Sequence, residues 1–490
     1  MLRRCSTALA GFAPVAWSSS WAHPQLRYAE LDAIVSQDPA SHTPMPPPPS
    51  LPPVDEPAAA LPDSAHPLRR FAPPDEAAAA LRSLFCIDSK WGTFINHGAF
   101  GGVATPLAKV AAAWEAHASS QPLAFFDREL FGRLGDATHA LASFVGASPQ
   151  DLVLVPNPTT AINALAAATA SASPGAPILV LSSVYASTPK IARALTGTEP
   201  LVVDIPLPSL HPSFVAAAVS AAMDAAPTRP AAAIIDHVAS NSALVAPLDE
   251  LAAVFARHDV PLVVDGAHGL LAQDLTLTPD ACLSHWYVGS CHKWFSAPRG
   301  VGFLWANPER VSEEARDAVL PPVISHGYTG PQATLHAKFG WDGTRSYAPA
   351  LTLPYAVALW EALGVDAVRQ HMHGLLRAAS ELLSAEWGTG VLDPPAVHNG
   401  TSLATVELPQ AVVGHKVVTG GRDDVPIGVL ADVLQDWLFH EHNIEVPVKS
   451  RDGKLYVRIS AHIYNTMDDY TRLASAVRTL LPSIHAFRLQ

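Results

Sequence analysis

The sequence predicts an α/β fold in which a mostly parallel β-sheet lies between layers of helices. Three observations predict it. Short apolar runs alternate with Ala-rich helical segments from 151 to 268, which is the pattern of a parallel sheet covered on both faces. Of the 490 residues, 49% are hydrophobic and only 15% are charged, which excludes a wholly disordered chain. After Tyr347 the alternation ends, and longer helical segments mix with separate strands.

The elements follow one another in a regular order. The segments DLVLVP, PILVLSS, AAAIIDH and PLVVDGAH have the character of buried strands, and the segments between them, TTAINALAAATA, PKIARAL and LDELAAVFARH, have that of helices. Beyond Tyr347, a helical stretch at about 354–387 leads into TSLATVELP, LADVLQDWLFHEH, LYVRISAHIY and a terminal helix. We therefore expect a large domain at 73–346 and a smaller C-terminal α+β domain at 347–490.

The first 72 residues differ in composition from the rest. Residues 1–38 contain three arginines, several serines and no acidic residue before Glu30, which is typical of an organellar transit peptide. The alternative is a disordered extension that targets nothing. Residues 39–72 are Pro-rich, with MPPPPSLPPV at their centre, and we expect a linker because proline fixes φ and lacks an N–H donor. Recognition of this tract by a proline-binding domain is its alternative. The expected location is a chloroplast or mitochondrion, and otherwise the cytoplasm.

Charge and cysteine content exclude several classes of protein. The 31 Lys and Arg against 44 Asp and Glu give a net charge of −13, which argues against a nucleic-acid binder. Four irregularly spaced cysteines without a CxxC pair indicate neither a disulfide framework nor a metal site. Prolines and asparagines interrupt the uncharged stretch at 152–189, so we expect no membrane span. Small-molecule chemistry is the remaining expectation.

The segments PLVVDGAHGLLAQDL and HWYVGSCHKWFSAPRGVGFLW are the most informative in the chain. Asp265 ends an apolar strand in the first, and Lys293 follows His292 ahead of a glycine turn in the second. This pattern resembles the class V aminotransferase family of fold-type I pyridoxal-phosphate (PLP) enzymes, which includes cysteine desulfurases, isopenicillin N epimerase-like proteins and plant L-cysteine desulfhydrases. The resemblance extends from about Phe94 onward and implies the fold-type I transferase fold with PLP as cofactor.

The resemblance assigns roles to the two central residues. Lys293 matches the lysine that forms a Schiff base with PLP, a task that burial of the amine assists; a surface lysine beside a turn is the alternative. Asp265 matches the carboxylate that faces the pyridine nitrogen and makes the ring an electron sink. An aspartate at the end of a strand can also act only as a cap.

Further cofactor contacts are implied by the same resemblance. Thr159 and Thr160 in NPTTAIN start a helix whose free N–H groups favour phosphate, although threonine is also a common N-cap. The other implied contacts are Ser290 and His292 on the far side of the phosphate, Tyr185 stacked on the ring, Ser240 (or Asn241) at the phenolic oxygen, and His268 beside the ring. A core tyrosine or a buried, hydrogen-bonded histidine would look the same in the sequence.

Substrate and subunit contacts complete the implied site. Arg458 in YVRISAHIYNTMDDY matches the arginine that binds the substrate α-carboxylate; pairing with a surface acid is its alternative. Asn96 and His97 in FINHGAFGG resemble the segment that folds over the substrate. Thr344 in WDGTRSY resembles the loop that reaches the phosphate of the neighbouring subunit, which implies a homodimer.

The resemblance to plant L-cysteine desulfhydrases implies a C–S lyase that converts L-cysteine to hydrogen sulfide, pyruvate and ammonia. Cysteine desulfurases carry a persulfide-forming cysteine on a C-terminal loop, and no cysteine follows Cys291 here. Three alternatives stay open: an epimerase of the isopenicillin N epimerase type, a lyase for a larger sulfur-containing amino acid such as hercynylcysteine sulfoxide, and a scaffold with the PLP fold but no activity.

Overall fold

A computed structural model describes residues 25–59, 80–205, 212–392, 400–421 and 425–481. Most of the predicted transit peptide (1–24) and part of the predicted linker (60–72) therefore lie outside the described residues, as does the predicted start of the large domain at Pro73. The organellar location stays a prediction.

The centre of the protein is a seven-stranded sheet with the order β2-β8-β7-β6-β5-β3-β4. Only β8 runs against the other strands, because it pairs antiparallel with both β2 and β7 while the remaining pairs are parallel. The prediction of a mostly parallel sheet is confirmed. The strands are β2 (Leu152–Val155), β3 (Ile178–Leu181), β4 (Leu201–Val203), β5 (Ala232–Asp236), β6 (Leu262–Gly266), β7 (Trp286–Ser290) and β8 (Gly302–Ala306).

Two smaller sheets in the described chain are formed mainly by its C-terminal part. β1 (Thr93–Phe94) pairs in parallel with β10 (Ile444–Glu445). A three-stranded antiparallel sheet has the order β11-β12-β9, from β9 (Leu403–Glu407), β11 (Val448–Arg451) and β12 (Lys454–Ser460). The N-terminal segment of the large domain is thus tied to the C-terminal part of the chain through β1.

Helices of nine or more residues cover these sheets. In chain order they are α1 (Gln25–Val35), α2 (Thr105–Ser120), α3 (Leu130–Phe144), α4 (Pro158–Ala172), α5 (Thr188–Thr196), α6 (Pro212–Ala225), α7 (Leu248–Arg257), α8 (Leu353–Leu363), α9 (Val365–Trp387), α10 (Ile427–His442) and α11 (Met467–Arg478). In the described part of the chain no single helix is long and apolar enough to span a membrane; the helical stretch Ala348–Leu363 and α9 reach that length together but meet at 73°.

Each central strand contributes to a core on both faces of the sheet. In β3, Leu179 and Leu181 belong to one apolar cluster, whereas Ile178 and Val180 belong to the other. Side chains of a strand alternate between its two faces, so a strand that is covered on both sides must be apolar at every position. This is why the buried strands read as continuous apolar runs in the sequence.

The predicted smaller domain contains residues of two cores. One core includes Ile95 and, from the C-terminal part of the chain, residues of α9 from Leu376 onward, β9, β12, α10 and α11. Tyr355, Leu359 and Trp360 of α8 lie instead in the core of the large domain. The change of sequence character after Tyr347 therefore marks the end of the strand–helix alternation and not the boundary between the two cores.

Residues 25–59 differ from the predicted extension and linker because they pack against the large domain. Leu31 and Val35 of α1 are each only 2% exposed, and they lie against α3. At Gly132 and Gly135 of α3, a Cβ atom would lie 2.5 Å from side-chain atoms of Met45 and Ile34. Proline excludes regular structure from much of 39–59, yet a chain without regular structure can still bury its apolar side chains. We call residues 25–59 the N-terminal strap.

Polar contacts also hold the strap. Asp136 of α3 accepts hydrogen bonds from the ring of His42 (3.1 Å) and from the backbone N–H of Met45 (3.2 Å). The ring of His139 stacks on His42 at 3.9 Å, and its Nε2 donates to the carbonyl of Ile34 at 2.7 Å. Burial raises the pKa of Asp136 to about 6.

Candidate active site

The site lies at the carboxyl ends of three neighbouring parallel strands. β5 ends at Asp236, β6 ends one residue after Asp265, and β7 ends at Ser290. Asp236 and Asp265 are partners in the register of β5 and β6, so both carboxylates leave the sheet at the same edge. Ligands of open α/β sheets bind at this edge. The small domain adds Arg458 from β12.

Lys293 lies in the turn between β7 and β8, and its amine enters this edge of the sheet. Its Nζ is 3.1 Å from Nε2 of His268. The pKa of Lys293 is lowered to about 8: burial lowers it most, the carboxylate of Asp265 raises it, the charge of Arg458 lowers it, and the carboxylate of Asp236 raises it. The neutral amine, which attacks carbonyl groups, is therefore more populated near neutral pH than in a lysine with the ordinary pKa.

The two carboxylates of the site influence each other. Asp265 is 5% exposed, and its Oδ1 accepts the N–H of Ala267 at 3.0 Å. Burial raises the pKa of both acids, and for Asp236 the neighbouring Asp265 carboxylate raises it further. Two neighbouring buried carboxylic acids do not both ionise readily, because their negative charges repel each other. Of the two acids, Asp236 therefore holds a proton more readily, and Asp265 ionises more readily.

Arg458 is buried, and the groups that accept its hydrogen bonds among the described residues are uncharged. One of its terminal nitrogens donates to the carbonyl of Ser240 at 2.6 Å and lies 3.2 Å from the Ser240 hydroxyl, and the other donates to Oδ1 of Asn96 at 2.7 Å. Asn96 in turn donates to Glu445 at 3.0 Å. Among the described residues, Nε of Arg458 has no hydrogen-bond partner. A buried guanidinium with an unused donor is suited to an anion such as a carboxylate.

The start of α4 is capped by a residue that the prediction missed. Asn157 is the N-cap, and its side-chain oxygen accepts the backbone N–H of Thr160 at 2.9 Å and the Thr160 hydroxyl at 3.2 Å. Thr159 is exposed, and its carbonyl accepts a hydrogen bond from Asn163. Thr159 and Thr160 thus lie in the first turn of the helix, as predicted, but neither of them is the cap.

Ser290 and His292 lie beside this helix start. Gly302 of β8 pairs with Ser290, and a Cβ atom on Gly302 would lie 3.5 Å from the Cα of Asn157. The hydroxyl of Ser290 is 3.1 Å from Nδ1 of His292. Burial lowers the pKa of His292 to about 4, so its ring is neutral at neutral pH. The structure therefore gathers the four residues predicted for phosphate binding at the positive end of α4.

Tyr185 and Thr344 lie at the margin of the site. The backbone N–H of Tyr185 donates to Oδ2 of Asp236 at 2.9 Å, and its side chain is 46% exposed. Thr344 is exposed in a loop that is held by the hydrogen bond from the Tyr347 hydroxyl to the Gly343 carbonyl. The role of Thr344 in a neighbouring subunit stays a prediction.

The side chain of His97 lies inside the protein against the backbone of Lys293, and not over the site. It is fully buried; Nδ1 accepts from the hydroxyl of Tyr464 at 2.9 Å, and Nε2 donates to the carbonyl of Lys293 at 2.9 Å. Gly101, with φ of +70°, allows the segment to pass the carbonyl of His292, which a Cβ atom would overlap. His97 therefore fixes the backbone of the lysine turn, and Asn96 reaches the site through Arg458.

Besides Asn157, three residues of the site were not predicted from the sequence. Asp236 ends a strand just as Asp265 does, so the strand-end criterion could have found it. Trp294 follows Lys293 and donates its indole N–H to Nδ1 of His268 at 3.2 Å, a contact without a local sequence signal. Glu445 meets Asn96 only because β1 pairs with β10. Within the described ranges no group of three metal-ligating side chains could hold an ion.

Comparison with known proteins identifies the family. The class-V aminotransferase profile matches residues 126–473. Isopenicillin N epimerase from Streptomyces clavuligerus is 30% identical over 406 residues, which cover 79% of this chain and 94% of the epimerase. The chain belongs to the class-V aminotransferase family. The probable chloroplastic L-cysteine desulfhydrase of Arabidopsis thaliana is 28% identical over 416 residues, which cover 79% of this chain and 82% of that protein.

Solved structures agree with the fold of a class-V aminotransferase. The cystine C–S lyase C-DES, in complex with its product cysteine persulfide, matches with a TM-score of 0.63 and 19% identity over 80% of this chain and 98% of its own. The cysteine desulfurase CsdA from Escherichia coli matches with a TM-score of 0.61 and 17% identity over 82% of this chain and 98% of its own. The predicted fold-type I architecture is confirmed.

Membership of the class-V aminotransferases implies PLP as the cofactor, and the residues of this site fit that group. The Lys293 amine has a lowered pKa, and the buried carboxylate of Asp265 can face a protonated ring nitrogen. The start of α4 with Ser290 offers donors for a phosphate. In the described chain, Oδ1 of buried Asp236 and Nε of Arg458 both lack partners, so the site contains polar atoms that a bound molecule would satisfy.

Proposed function

We propose that the protein is a PLP-dependent C–S lyase, an L-cysteine desulfhydrase that converts L-cysteine and water to hydrogen sulfide, pyruvate and ammonia. The relatives named as L-cysteine desulfhydrases support this reaction. The arrangement of Lys293, Asp265 and Arg458 supports a substrate that is an α-amino acid. When bound, PLP supplies an electron sink that stabilises negative charge on the substrate Cα.

Lys293, Asp265 and Arg458 have separate roles in this reaction. Lys293 would hold the cofactor through Nζ, and the same Nζ would be the base for the proton on the substrate Cα. Asp265, the acid of the pair that ionises more readily, would keep the ring nitrogen protonated. Arg458 binds the α-carboxylate and orients the Cα–H bond. Loss of the β-thiol as sulfide follows from negative charge at Cα.

One observation carries the choice of a lyase over a desulfurase: two of the three described cysteines, Cys282 and Cys291, are poorly suited to accept sulfur as a persulfide. Cys291 is fully buried, and burial raises the pKa of its thiol far above the ordinary value. Cys282 is partly buried, and its pKa is raised as well. A thiol must ionise to attack sulfur. Cys86 is exposed and lines a cleft of about 410 Å³ with Gly101 and Glu445, so it is the thiol to test.

Epimerisation is the second candidate, because the epimerase from Streptomyces clavuligerus is 30% identical to this chain. An epimerase needs proton transfer on both faces of Cα. An epimerase would need an acid–base group separate from Lys293 and His268, which contact each other, and among the described residues we assign none.

The test is an absorbance spectrum of the purified protein before and after addition of L-cysteine, with sulfide and pyruvate assayed in the same tube. We expect a visible cofactor band, equal amounts of both products, and neither band nor products from Lys293→Ala. Lys109→Ala, at an exposed position, is the matched control. Sulfide without pyruvate would indicate a desulfurase. Deuterium incorporation and inversion at Cα in D₂O without sulfide would indicate an epimerase.

We further propose that the active unit is a homodimer in which Thr344 completes the phosphate site of the neighbouring subunit. Beside the site, Phe100 is 69% exposed, as expected for a residue that a second subunit covers. Cross-complementation tests this: an equal mixture of Lys293→Ala with a Thr344→Ala/Arg345→Ala variant should recover activity. Absence of recovery in a protein that is dimeric by light scattering would contradict the shared site.

A further inference from the structure

Three side chains form a continuous hydrogen-bonded chain beneath the candidate cofactor. The indole Nε1 of Trp294 is 3.2 Å from Nδ1 of His268, and Nε2 of His268 is 3.1 Å from Nζ of Lys293. Trp294 is 1% exposed and His268 is 3% exposed. Solvent therefore does not compete for either of the two contacts.

The direction of each hydrogen bond follows from the chemistry of the groups. An indole N–H can only donate, so Nδ1 of His268 must be the acceptor. A neutral imidazole that accepts at Nδ1 carries its proton on Nε2, which makes Nε2 a donor toward Lys293. An ammonium group has no lone pair. The two contacts are satisfied together only when the amine of Lys293 is unprotonated.

The surrounding charges agree with this assignment. Burial, followed by the charges of Lys293, Arg458, His97 and His292, lowers the pKa of His268 well below its ordinary value, so its ring is neutral. For Lys293, burial and Arg458 lower the pKa, and the carboxylates of Asp265 and Asp236 raise it. The two acids thus favour the charged ammonium form of Lys293. A hydrogen-bond donor at Nε2 of His268 acts against that effect.

The orientation of Trp294 is itself held by neighbouring rings. Its carbonyl accepts a hydrogen bond from Nε2 of His462 at 3.1 Å, and its ring lies within 14° of parallel to that of His462. His462 in turn stacks on His97 at 4.0 Å. These rings leave the indole N–H pointing at His268, so its direction is a fixed property of the packed core.

We infer that Trp294 is a positioning residue: by donating to Nδ1 of His268 it selects the imidazole tautomer that donates to Lys293, and so favours the unprotonated lysine amine, the form that bonds to an aldehyde. This inference rests on the proposed function, because only a lysine that bonds to a cofactor requires a neutral amine. Loss of the indole donor would free His268 to carry its proton on Nδ1. Its Nε2 lone pair would then stabilise the ammonium form of Lys293.

The experiment measures the protonation of Lys293 without any turnover. Full-length protein freed of cofactor is pulsed with trace acetic anhydride from pH 6 to pH 11, and mass spectrometry compares the labelling of Lys293 with that of exposed Lys109. In the wild type we expect half-maximal labelling of Lys293 near pH 8, its pKa in the structure. In Trp294→Phe the labelling of Lys293 at pH 8 should fall about fivefold, since the ammonium form is favoured.

Two controls separate this role from a structural one. Trp360→Phe removes another buried indole donor, which bonds to the carbonyl of Phe295 at 2.9 Å, and it should leave the labelling profile of Lys293 unchanged. In a His268→Leu background, Trp294→Phe should have no further effect, because the tryptophan acts through the histidine.

Each outcome decides the inference. If Trp294→Phe retains its near-ultraviolet circular dichroism and labels Lys293 as the wild type does, the inference is wrong. If that variant does not fold, the wild-type profile decides: a Lys293 that titrates like Lys109 overturns the inference, and titration near pH 8 that moves upward in His268→Leu supports it. A shifted profile together with no sulfide or pyruvate would leave this inference standing and refute the proposed function.

Discussion

Replacement of Lys293 by methionine is expected to stabilise the cofactor-free protein at neutral pH. Methionine has a similar length and apolar character without the charge. In the folded protein Lys293 has a pKa of about 8, whereas the ordinary value is 10.5. At ~1.36 kcal/mol for each pKa unit, this difference corresponds to at most about 3 kcal/mol of stability lost at pH 7. The side chain keeps some solvent contact, so the gain is expected to lie below that limit.

The sign of the pH dependence follows from proton binding. Below pH 8 Lys293 is protonated in both the folded and the unfolded chain, so the full loss of stability caused by its burial is present. Between pH 8 and 10.5 only the unfolded chain binds the proton, and the stability of the wild type rises with pH. Above 10.5 neither state holds the proton, and the difference between wild type and variant disappears. At pH 9.5 less than half of the advantage of Lys293→Met, about 1.4 kcal/mol, should remain.

The assay is urea unfolding of the cofactor-free wild type, Lys293→Met and the surface control Lys109→Met, at pH 7 and pH 9.5. We expect Lys293→Met to have the higher midpoint at pH 7 and a smaller advantage at pH 9.5, with no pH-dependent difference for Lys109→Met. An advantage of the same size at both pH values, or a loss of stability at pH 7, would refute the conclusion that burial of this amine is what lowers its pKa.

Three further predictions concern the site. Arg458→Gln should raise KM for L-cysteine by a factor corresponding to ~2–5 kcal/mol and leave the affinity for cysteamine, which has no carboxylate, unchanged; equal effects on both would assign this arginine to structure. Cys86→Ser should release sulfide at the wild-type rate, and loss of sulfide release would indicate that Cys86 accepts sulfur as a persulfide. Asp236→Asn should bind PLP within about twofold of wild type at pH 7, because the raised pKa of Asp236 means that a neutral group already stands there. Asp236→Leu, which removes the acceptor for the Tyr185 N–H, should bind it more weakly; equal titration curves for the two variants would contradict this role.

The strands of the central sheet were predictable because burial on both faces leaves a local signal. β3, β5 and β6 are each apolar runs, and their positions agree with the prediction. β4 was not assigned: it has only three residues, lies at the edge of the sheet, and exposes 52% of Val202. A short edge strand covered on one side carries too little apolar sequence to stand out.

The site was predictable where a residue's role depends on its own strand end, and less so where it depends on distant partners. Asp265 follows an apolar run, and Lys293 lies beside a recognisable turn. The contact of Arg458 with Asn96 joins residues far apart in the chain, and it requires the docking of the N-terminal segment on the small domain. The inward position of His97 depends on Tyr464, which no local pattern near His97 reveals.

Packing of the N-terminal strap bears on how the protein is expressed. A fragment that begins at Pro73, where sequence composition alone would place the folded body, lacks the strap. It would leave the faces of Gly132 and Gly135 on α3 open to water, together with side chains that Leu31 and Val35 now cover. Such an apolar surface promotes aggregation. A fragment that keeps this surface covered therefore starts no later than Gln25.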